Sequence, residues 1–355
     1  MTASTGKLTT AGLRERIRTM PRIALAALPT PLEDEPRLSR ELGGPRILVK
    51  RDDLTGLAFG GNKVRELEFF LGDAAANSAD VFIAGGGVGQ SNHARQCTAA
   101  AVRAGLEPVM VLRPGVTGTL PTGNLLLTRM LGANIHWVAD DPRLDDREAM
   151  AGAMDTIADE YRGKGRRPYV LYSSVHPLGA VSYVECAVEI AEQLATRVAA
   201  PVHVYVTSMG VTHVGLALGF AALGLPWKVT GIAWRPEVPG LAQRLAALAD
   251  ATARLLNVEN PLTAPDFVTL DYGGPEYGVP SPETWEAIAL CARMEGLFVD
   301  PVYSGKGMAG LIDQIRRGFL EVRDLVVFVH TGGLPALFAY ADAAVDSHAF
   351  TDAFA

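Results

Sequence analysis

The sequence predicts an α/β protein built on parallel sheets with helices on both faces. Short apolar runs such as Val81-Phe82-Ile83-Ala84 and Val202 to Val206 alternate with stretches of helical period along the whole chain. Thirty-seven glycines and a high alanine content suit many tight strand-to-helix turns. At 355 residues the chain can bury a large core, and it predicts two domains.

Taken in order, residues 7–20 place Leu13 and Ile17 at helical spacing before Pro21 interrupts the pattern. Pro29 and Pro31 hold Leu28 to Glu33 extended. A short helix then ends near Gly43-Gly44, and Arg46 to Lys50 reads as a strand. A charged turn and Gly60-Gly61-Asn62 lead to a helix opening at Lys63, with Val64, Leu67, Phe70 and Leu71 recurring along one face. The strand Val81 to Ala84 is followed by the glycine run 85–89, and a helix from Ala94 to Ala104 stops at Gly105. Val109 to Leu112, Asn134 to Val138 and Tyr169 to Tyr172 read as strands. Thr122 to Leu131 and Arg147 to Arg162 read as the helices between them. A loop at Ser173 to Gly179 precedes the helix Val181 to Ala195. Beyond it, strands at Val202 to Val206 and Val229 to Ala233 flank a helix of small residues, and 238–256 is an alanine- and leucine-rich helix. Residues 257–280 look irregular, and Trp285 to Gly296 is helical. Residues 300–307 form a loop before the helix Met308 to Arg317, and Leu325 to Val329 is the last strand before a closing helix.

Composition excludes several classes. A net charge of −7 without any Lys/Arg block argues against nucleic acid as a partner. No apolar run reaches the length of a membrane span, and the polar, mixed-charge stretch Met1 to Met20 predicts no secretory leader. Cys97, Cys186 and Cys291 are odd in number, far apart and set among apolar or alanine-rich neighbours, which suits reduced thiols in a cytoplasmic protein. No histidine pairs with cysteine at zinc spacing, so no metal site is expected.

Chemistry is expected where strands end and helices begin, because free backbone donors collect there. Lys63 stands at the mouth of a helix, where the N-terminal dipole disfavours an extra proton on its amine. A lysine that attacks a carbonyl must be neutral when it does so. Taken alone, Lys63 reads as a solvated first-turn residue. At 85–93 the glycines leave backbone N–H groups accessible, and Ser91 and Asn92 can cap a helix or hold an anion. At 207–212, backbone donors with the Ser208 and Thr212 hydroxyls could cradle a phosphate. The turn lacks the glycine spacing of a dinucleotide site. Thr331 closes a buried strand, where it is a cap or a hydroxyl facing a ligand; Tyr303 alone is most simply a packed aromatic.

The strings around these residues carry more. Lys50-Arg51-Asp52-Asp53, Gly60-Gly61-Asn62-Lys63 and Arg65-Glu66-Leu67-Glu68-Phe69 resemble the opening of the pyridoxal-phosphate enzymes grouped around D-cysteine desulfhydrase and 1-aminocyclopropane-1-carboxylate deaminase. Gln90-Ser91-Asn92-His93, Asp300-Pro301-Val302-Tyr303, and His330-Thr331-Gly332-Gly333 with the residues after it resemble later strings of the same family. These matches run in order from about Leu28 to Tyr340. The resemblance implies a two-domain, tryptophan synthase beta-like fold, with 1–66 and 177–355 as the larger cofactor-binding domain and 67–176 as the smaller one. It implies that Lys63 holds pyridoxal 5'-phosphate as an imine and moves the substrate α-proton. Ser208, Met209, Gly210, Val211 and Thr212 fall on the phosphate loop, and Asn92, Ser304 and Thr331 also face the cofactor. Gln90, Ser91, Asn92 and His93 fall on the substrate-carboxylate loop, with Ser91 also reaching the reacting carbon. That glycine run is one residue longer than usual. Tyr303 faces cofactor and substrate. A small amino acid is the expected substrate and a homodimer the expected assembly.

Ring-opening deaminases of that family carry a glutamate directly after the tyrosine. Here the position is Ser304, and Thr331 adds a second neutral hydroxyl. A carboxylate near the pyridine nitrogen favours its protonated form and strengthens the ring as an electron sink. Neutral hydroxyls therefore favour β-elimination of a good leaving group, with D-cysteine the expected substrate. L-cysteate sulfo-lyase and 1-aminocyclopropane-1-carboxylate deaminase activities are the alternatives, the latter supported by His176-Pro177-Leu178-Gly179. Two competitors from other classes are a nucleotide-dependent α/β enzyme and a catalytically silent amino-acid binder. A visible absorption band argues against the first, and turnover against the second.

Overall fold

Two sheets organise the chain. The computed structural model describes residues 7–139, 146–173, 175–195, 201–236, 238–347, 349 and 350. The chain opens with α1 (Thr10–Arg18), β1 (Leu32–Asp34), α2 (Pro36–Leu42) and β2 (Arg46–Lys50), then two 3-10 turns and α3 (Asn62–Ala76). Next come β3 (Val81–Val88), α4 (Asn92–Arg103), β4 (Glu107–Arg113), α5 (Gly123–Met130), β5 (Asn134–Trp137), α6 (Asp146–Gly163) and β6 (Pro168–Leu171). The alternation continues through α7 (Pro177–Leu194), β7 (Val202–Thr207), α8 (Val211–Ala222), β8 (Lys228–Ala233), α9 (Leu241–Leu256) and β9 (Thr269–Asp271). It closes with α10 (Pro282–Glu295), α11 (Ser304–Arg316), β10 (Leu325–Val329), α12 (Leu334–Leu337) and α13 (Ala341–Asp346).

The larger sheet has the order β1-β2-β10-β7-β8-β9 and is parallel except for β1, which runs antiparallel to β2 at one edge. The smaller sheet, β5-β4-β3-β6, is parallel throughout. Period-two alternation sends residues to both faces. Ile47, Val49, Val326 and Phe328 pack with Met308, Leu311 and Ile312 of α11 on one side of the larger sheet. Leu48, Val204, Val206, Val327 and Val329 pack with Tyr183, Ala187 and Ile190 of α7 and Phe220 of α8 on the other. In the smaller sheet, Phe82 and Met110 meet α3 and α4, while Ile83 and Val109 meet Met154 and Ile157 of α6. Near-continuous apolar runs are what sheets covered on both faces require.

Several expectations are corrected. The strand expected to end at Ala84 runs on to Val88, with a register irregularity between Gly85 and Val88. Gly86 and Gly87 take φ of 116° and 100°, which side-chain-bearing residues rarely adopt, so the glycine run bends the strand rather than ending it. Leu32–Asp34 and Thr269–Asp271 are edge strands too short and too polar to show an apolar run. Residues 304–307 belong to α11 rather than to a loop, because the buried Asp300 carboxylate caps the helix. It accepts from the N–H groups of Val302 (2.9 Å), Tyr303 (3.0 Å) and Ser304 (2.8 Å). The helix expected from Val181 begins at Pro177; of the loop before it, Ser174 lies outside the described residues. Helix α3, which carries residues 66 and 67, packs against both α4 and α7.

Candidate active site

Parallel strands bring their carboxyl ends level. Lys50 of β2 pairs with Val329 of β10, and Val329 pairs with Val206 of β7, so the loops leaving these strands must adjoin. They meet at the N-terminus of α3. The Asn62 N–H donates to the Thr331 carbonyl (3.0 Å), and Asn62 Nδ2 donates to Thr212 Oγ1 (3.3 Å). Gly61 and Gly332 touch backbone to backbone: a Cβ on Gly332 would lie 2.7 Å from Gly61 Cα. The smaller sheet joins through Gln96, whose Oε1 accepts from the Val64 N–H at 3.0 Å. The turns that follow β10 and β7 and helix α4 thus adjoin the α3 N-terminus that carries Lys63.

Lys63 lies in the first turn of α3. Its Nζ donates to both Glu66 carboxylate oxygens, at 3.0 and 3.2 Å. His93 and Cys97 stand on the facing side of α4, with the thiol 3.4 to 3.6 Å from the ring nitrogens. Burial, then the positive charge of Lys63, pushes His93 down to about 3, so the ring is neutral. Burial drives the Cys97 thiol far above its ordinary range.

Ser91 caps α4: its Oγ accepts from the Ala94 N–H (3.2 Å) and lies 3.2 Å from the Gly86 carbonyl, to which it donates. The flanking amides brace the turn. Gln90 donates to the Thr122 carbonyl and accepts from the Asn124 N–H, while Asn92 Oδ1 accepts from Asn124 Nδ2 at 2.9 Å. The Gln90 amide is thus engaged at both ends, whereas Asn92 is engaged through Oδ1.

In the 207–212 turn, Ser208 Oγ accepts from the N–H groups of Gly210 (3.2 Å) and His213 (3.3 Å). The other first-turn amides of α8 have no partner within their helix. Among the described residues, no hydrogen-bond partner meets the buried Thr207 Oγ1. Val175 stands next to Gly210.

Tyr303 precedes α11 and places its hydroxyl oxygen 2.5 Å from that of Tyr277, with both rings edge-on to Trp234. Burial pushes Tyr277 up to about 12 and Tyr303 well above the ordinary phenol value, so both phenols keep their protons. Tyr277 was not among the residues expected at the site, since it lies in a stretch with no periodic pattern. Lys306 positions it: its ammonium donates to the carbonyls of Trp234 (3.2 Å), Gly273 and Glu276 (3.3 Å), pinning the strand-end loop that carries the ring. A Cβ added at Gly87 would stand 2.8 Å from Ser91 Oγ and 3.8 Å from Tyr277 Oη, so the tyrosine pair faces the Ser91 turn.

Ser304 is buried. Its hydroxyl donates to Asp300 Oδ1 (2.6 Å), accepts from the Asp300 N–H (2.8 Å) and lies 3.1 Å from the Gly332 carbonyl, next to Thr331. Asp300 and Glu66 are two carboxylates that stand in the quoted strings without a role assigned to them. One is a helix cap, and the other follows the lysine by a single turn.

Beneath the site lies a buried charge network. Arg65 forms paired hydrogen bonds with Asp52 (2.9 and 2.8 Å) and with Glu189 (both 2.8 Å). Lys50 donates to Glu189 at 2.7 Å, and the Tyr183 hydroxyl donates to Asp52 at 2.6 Å. Burial alone would raise both carboxyls, but the Arg65 and Lys50 cations hold them below their ordinary values. The network clamps the strand before Lys63 and its own helix onto α7. Among the described residues, no group of three or more His, Cys, Asp or Glu side chains could hold a metal ion.

Comparison with known proteins decides the family. The family profile described as "Pyridoxal-phosphate dependent enzyme" matches residues 23–332. The chain belongs to that family. It is 42% identical over 325 residues to 1-aminocyclopropane-1-carboxylate deaminase of Burkholderia ambifaria, covering 88% of this chain and 94% of that one. The corresponding Burkholderia vietnamiensis protein is 41% identical over 337 residues, covering 92% and 98%. A crystal structure of an ACC deaminase homologue superposes with a TM-score of 0.84 at 33% identity, covering 95% and 99% of the two chains. Threonine deaminase isoform 2 from Solanum lycopersicum shares the fold, with a TM-score of 0.61 at 15% identity and coverage of 94% and 92%. The fold is the tryptophan synthase beta-like one, and the enzyme is pyridoxal-phosphate dependent.

The residues present fit that cofactor. Lys63 stands in the first turn of α3, the α8 N-terminus offers donors for a phosphate, and the Thr207 hydroxyl, without a hydrogen-bond partner among the described residues, lies at the base of the same turn. Bound there, pyridoxal phosphate supplies a conjugated ring that accepts the electron pair left at the substrate Cα.

Proposed function

We propose that this lyase eliminates the β-substituent of a cysteine-like amino acid, D-cysteine first, releasing pyruvate, ammonia and sulfide. The observation that carries the reading is Ser304. At the position where ring-opening deaminases carry glutamate, this chain has a neutral hydroxyl, with Thr331 beside it. The nearby Asp300 carboxylate does not substitute for that glutamate, because it accepts from three backbone N–H groups and from Ser304 itself. A ring nitrogen flanked by hydroxyls makes a weaker electron sink. That suffices when sulfide leaves from Cβ, but an unactivated cyclopropane offers no such leaving group.

In this reading Lys63 binds the cofactor and moves the α-proton, and residues 208–212 hold its phosphate. Ser91 and the α4 N-terminus orient the substrate carboxylate, with Gln90, Asn92 and His93 shaping that turn. The Tyr303 and Tyr277 hydroxyls face the departing group and can donate to it. Residues 67–176 form the smaller domain, and 1–66 with 177–355 the larger. A cytoplasmic location is supported by three buried free thiols. A homodimer is the assembly the resemblance implies, and light scattering tests it.

A second reading, ring-opening deamination of 1-aminocyclopropane-1-carboxylate, is favoured by the names of the Burkholderia relatives and by His176-Pro177-Leu178-Gly179. One assay separates the readings. Keto-acid release is compared for D-cysteine, L-cysteine, L-cysteate and 1-aminocyclopropane-1-carboxylate at equal enzyme. Turnover of D-cysteine well above the cyclopropane substrate supports elimination, and turnover of the cyclopropane alone overturns it.

A further inference from the structure

Glu66 lies in the Arg65-Glu66-Leu67-Glu68-Phe69 string, but the resemblance gives it no role. Glu66 follows Lys63 by three residues, so the two side chains share one face of α3. Both carboxylate oxygens lie within hydrogen-bond reach of the lysine Nζ, at 3.0 and 3.2 Å. The exposures differ: the Glu66 side chain is 1% accessible and that of Lys63 is 21%. A buried carboxylate without a cationic partner is costly. Among the described residues, Lys63 is the charged group that acts on the Glu66 carboxyl, and Arg95 of α4 is taken up by Asn124 and the Ala58 and Gly60 carbonyls. From α4 come His93, held neutral, and the protonated Cys97 thiol. From α7, Glu185 is bound by Arg22 and Glu189 by Arg65, while His176 packs against Phe70.

We propose that Glu66 is a positioning residue that sets the basicity of Lys63 whenever its amine is free of the cofactor. The inference rests on Lys63 being the cofactor lysine. When the free amine takes the substrate α-proton, its lone pair forms the new N–H bond and the C–H electron pair remains on the substrate. The resulting ammonium lies against the Glu66 carboxylate, and their attraction favours the proton-bearing form. The amine is thereby a stronger base than it would be beside a neutral group, and the ammonium can later return the proton. When the ammonium condenses with an aldehyde, it loses three protons. Two leave with the carbonyl oxygen as water, and the third goes to Glu66. Burial raises the Glu66 carboxyl, which suits it to hold that proton once its cationic partner is gone.

The test compares the wild-type chain with Glu66→Gln and Glu66→Asp, each full length and stripped of cofactor. Lys63 is reductively methylated with formaldehyde and cyanoborohydride across a pH series, and its labelling is read by peptide mass spectrometry. In Glu66→Gln the labelling midpoint should move about one pH unit or more to lower pH. Glu66→Asp, which keeps the charge, should move it less. A purely structural role for Glu66 would leave the midpoint in place. Each variant is also loaded with pyridoxal phosphate and reduced with borohydride to find the labelled lysine. A label on Lys63 with an unmoved midpoint in both variants overturns the role of Glu66. A label on another lysine overturns the assignment of Lys63, whatever the midpoint does.

Discussion

Tyr277 and Tyr303 reach the site from different elements and place their hydroxyl oxygens 2.5 Å apart, with both rings edge-on to Trp234. Neither phenol loses its proton in the neutral range, because burial raises both. The pair is therefore built to donate a hydrogen bond, one hydroxyl orienting the other. Tyr303→Phe should lower kcat about 100-fold or more with pyridoxal absorbance retained, as removal of a group that protonates a leaving atom does. Tyr277→Phe should show a smaller loss. Equal activity of both variants with wild type would reduce the pair to packing.

Lys306 links this pair to the loop behind it, so Lys306→Met should act through Tyr277. The substitution removes three hydrogen bonds to loop carbonyls and leaves the buried Gly273 carbonyl unsatisfied, at about 1–3 kcal/mol. Lower thermal stability with a kcat defect resembling Tyr277→Phe is expected. Loss of cofactor instead, detected by absorbance, would point to Lys306 as the cofactor lysine. Borohydride reduction and peptide mapping of wild type should place the label on Lys63.

Ser91→Ala removes the cap of α4 and should cost about 1 kcal/mol of stability. If the turn also binds the substrate carboxylate, KM should rise while the visible spectrum stays unchanged. Unaltered kinetics across the amino-acid panel would leave Ser91 as a cap alone.

The charge network beneath Lys63 should be intolerant of partial removal. Arg65→Met leaves Asp52 and Glu189 buried without their guanidinium, a loss of about 3–5 kcal/mol. Urea denaturation should show a lowered midpoint, and a shift near zero would mean water reaches the network.

Stability should depend on pH in two windows of opposite sign. Asp52 and Glu189 have lowered folded-state values, so their contribution is full above ordinary carboxylate values and disappears as pH falls through the folded ones. Glu35 is the reverse: burial, with Glu295 adding like charge, raises it to about 7. Its contribution is present below the ordinary glutamate value and is lost as pH rises through about 7. Glu35→Gln should flatten the thermal melting profile between pH 5 and 7 without changing the acid limb. Identical profiles for variant and wild type would show that Glu35 is solvated.

The sequence by itself determined the alternation of strands and helices, the covered parallel sheets and the order of the ligand-facing turns. Each is encoded locally: apolar period, capping residues and glycines act within a few positions of one another. Lys63, Ser91, the 207–212 turn and Thr331 could be singled out because parallel strands bring their carboxyl ends to one side. Only the tertiary structure decided that the last strand, β10, inserts between β2 and β7, since strand order is a choice among distant partners that periodicity does not encode. It also decided the pairing of Tyr277 with Tyr303, the cap that Asp300 gives α11, and the burial that separates Glu66 from an ordinary surface glutamate. A hydroxyl, a carboxylate or an ammonium acquires its chemistry from what is buried beside it. Those neighbours come from elements far away in sequence.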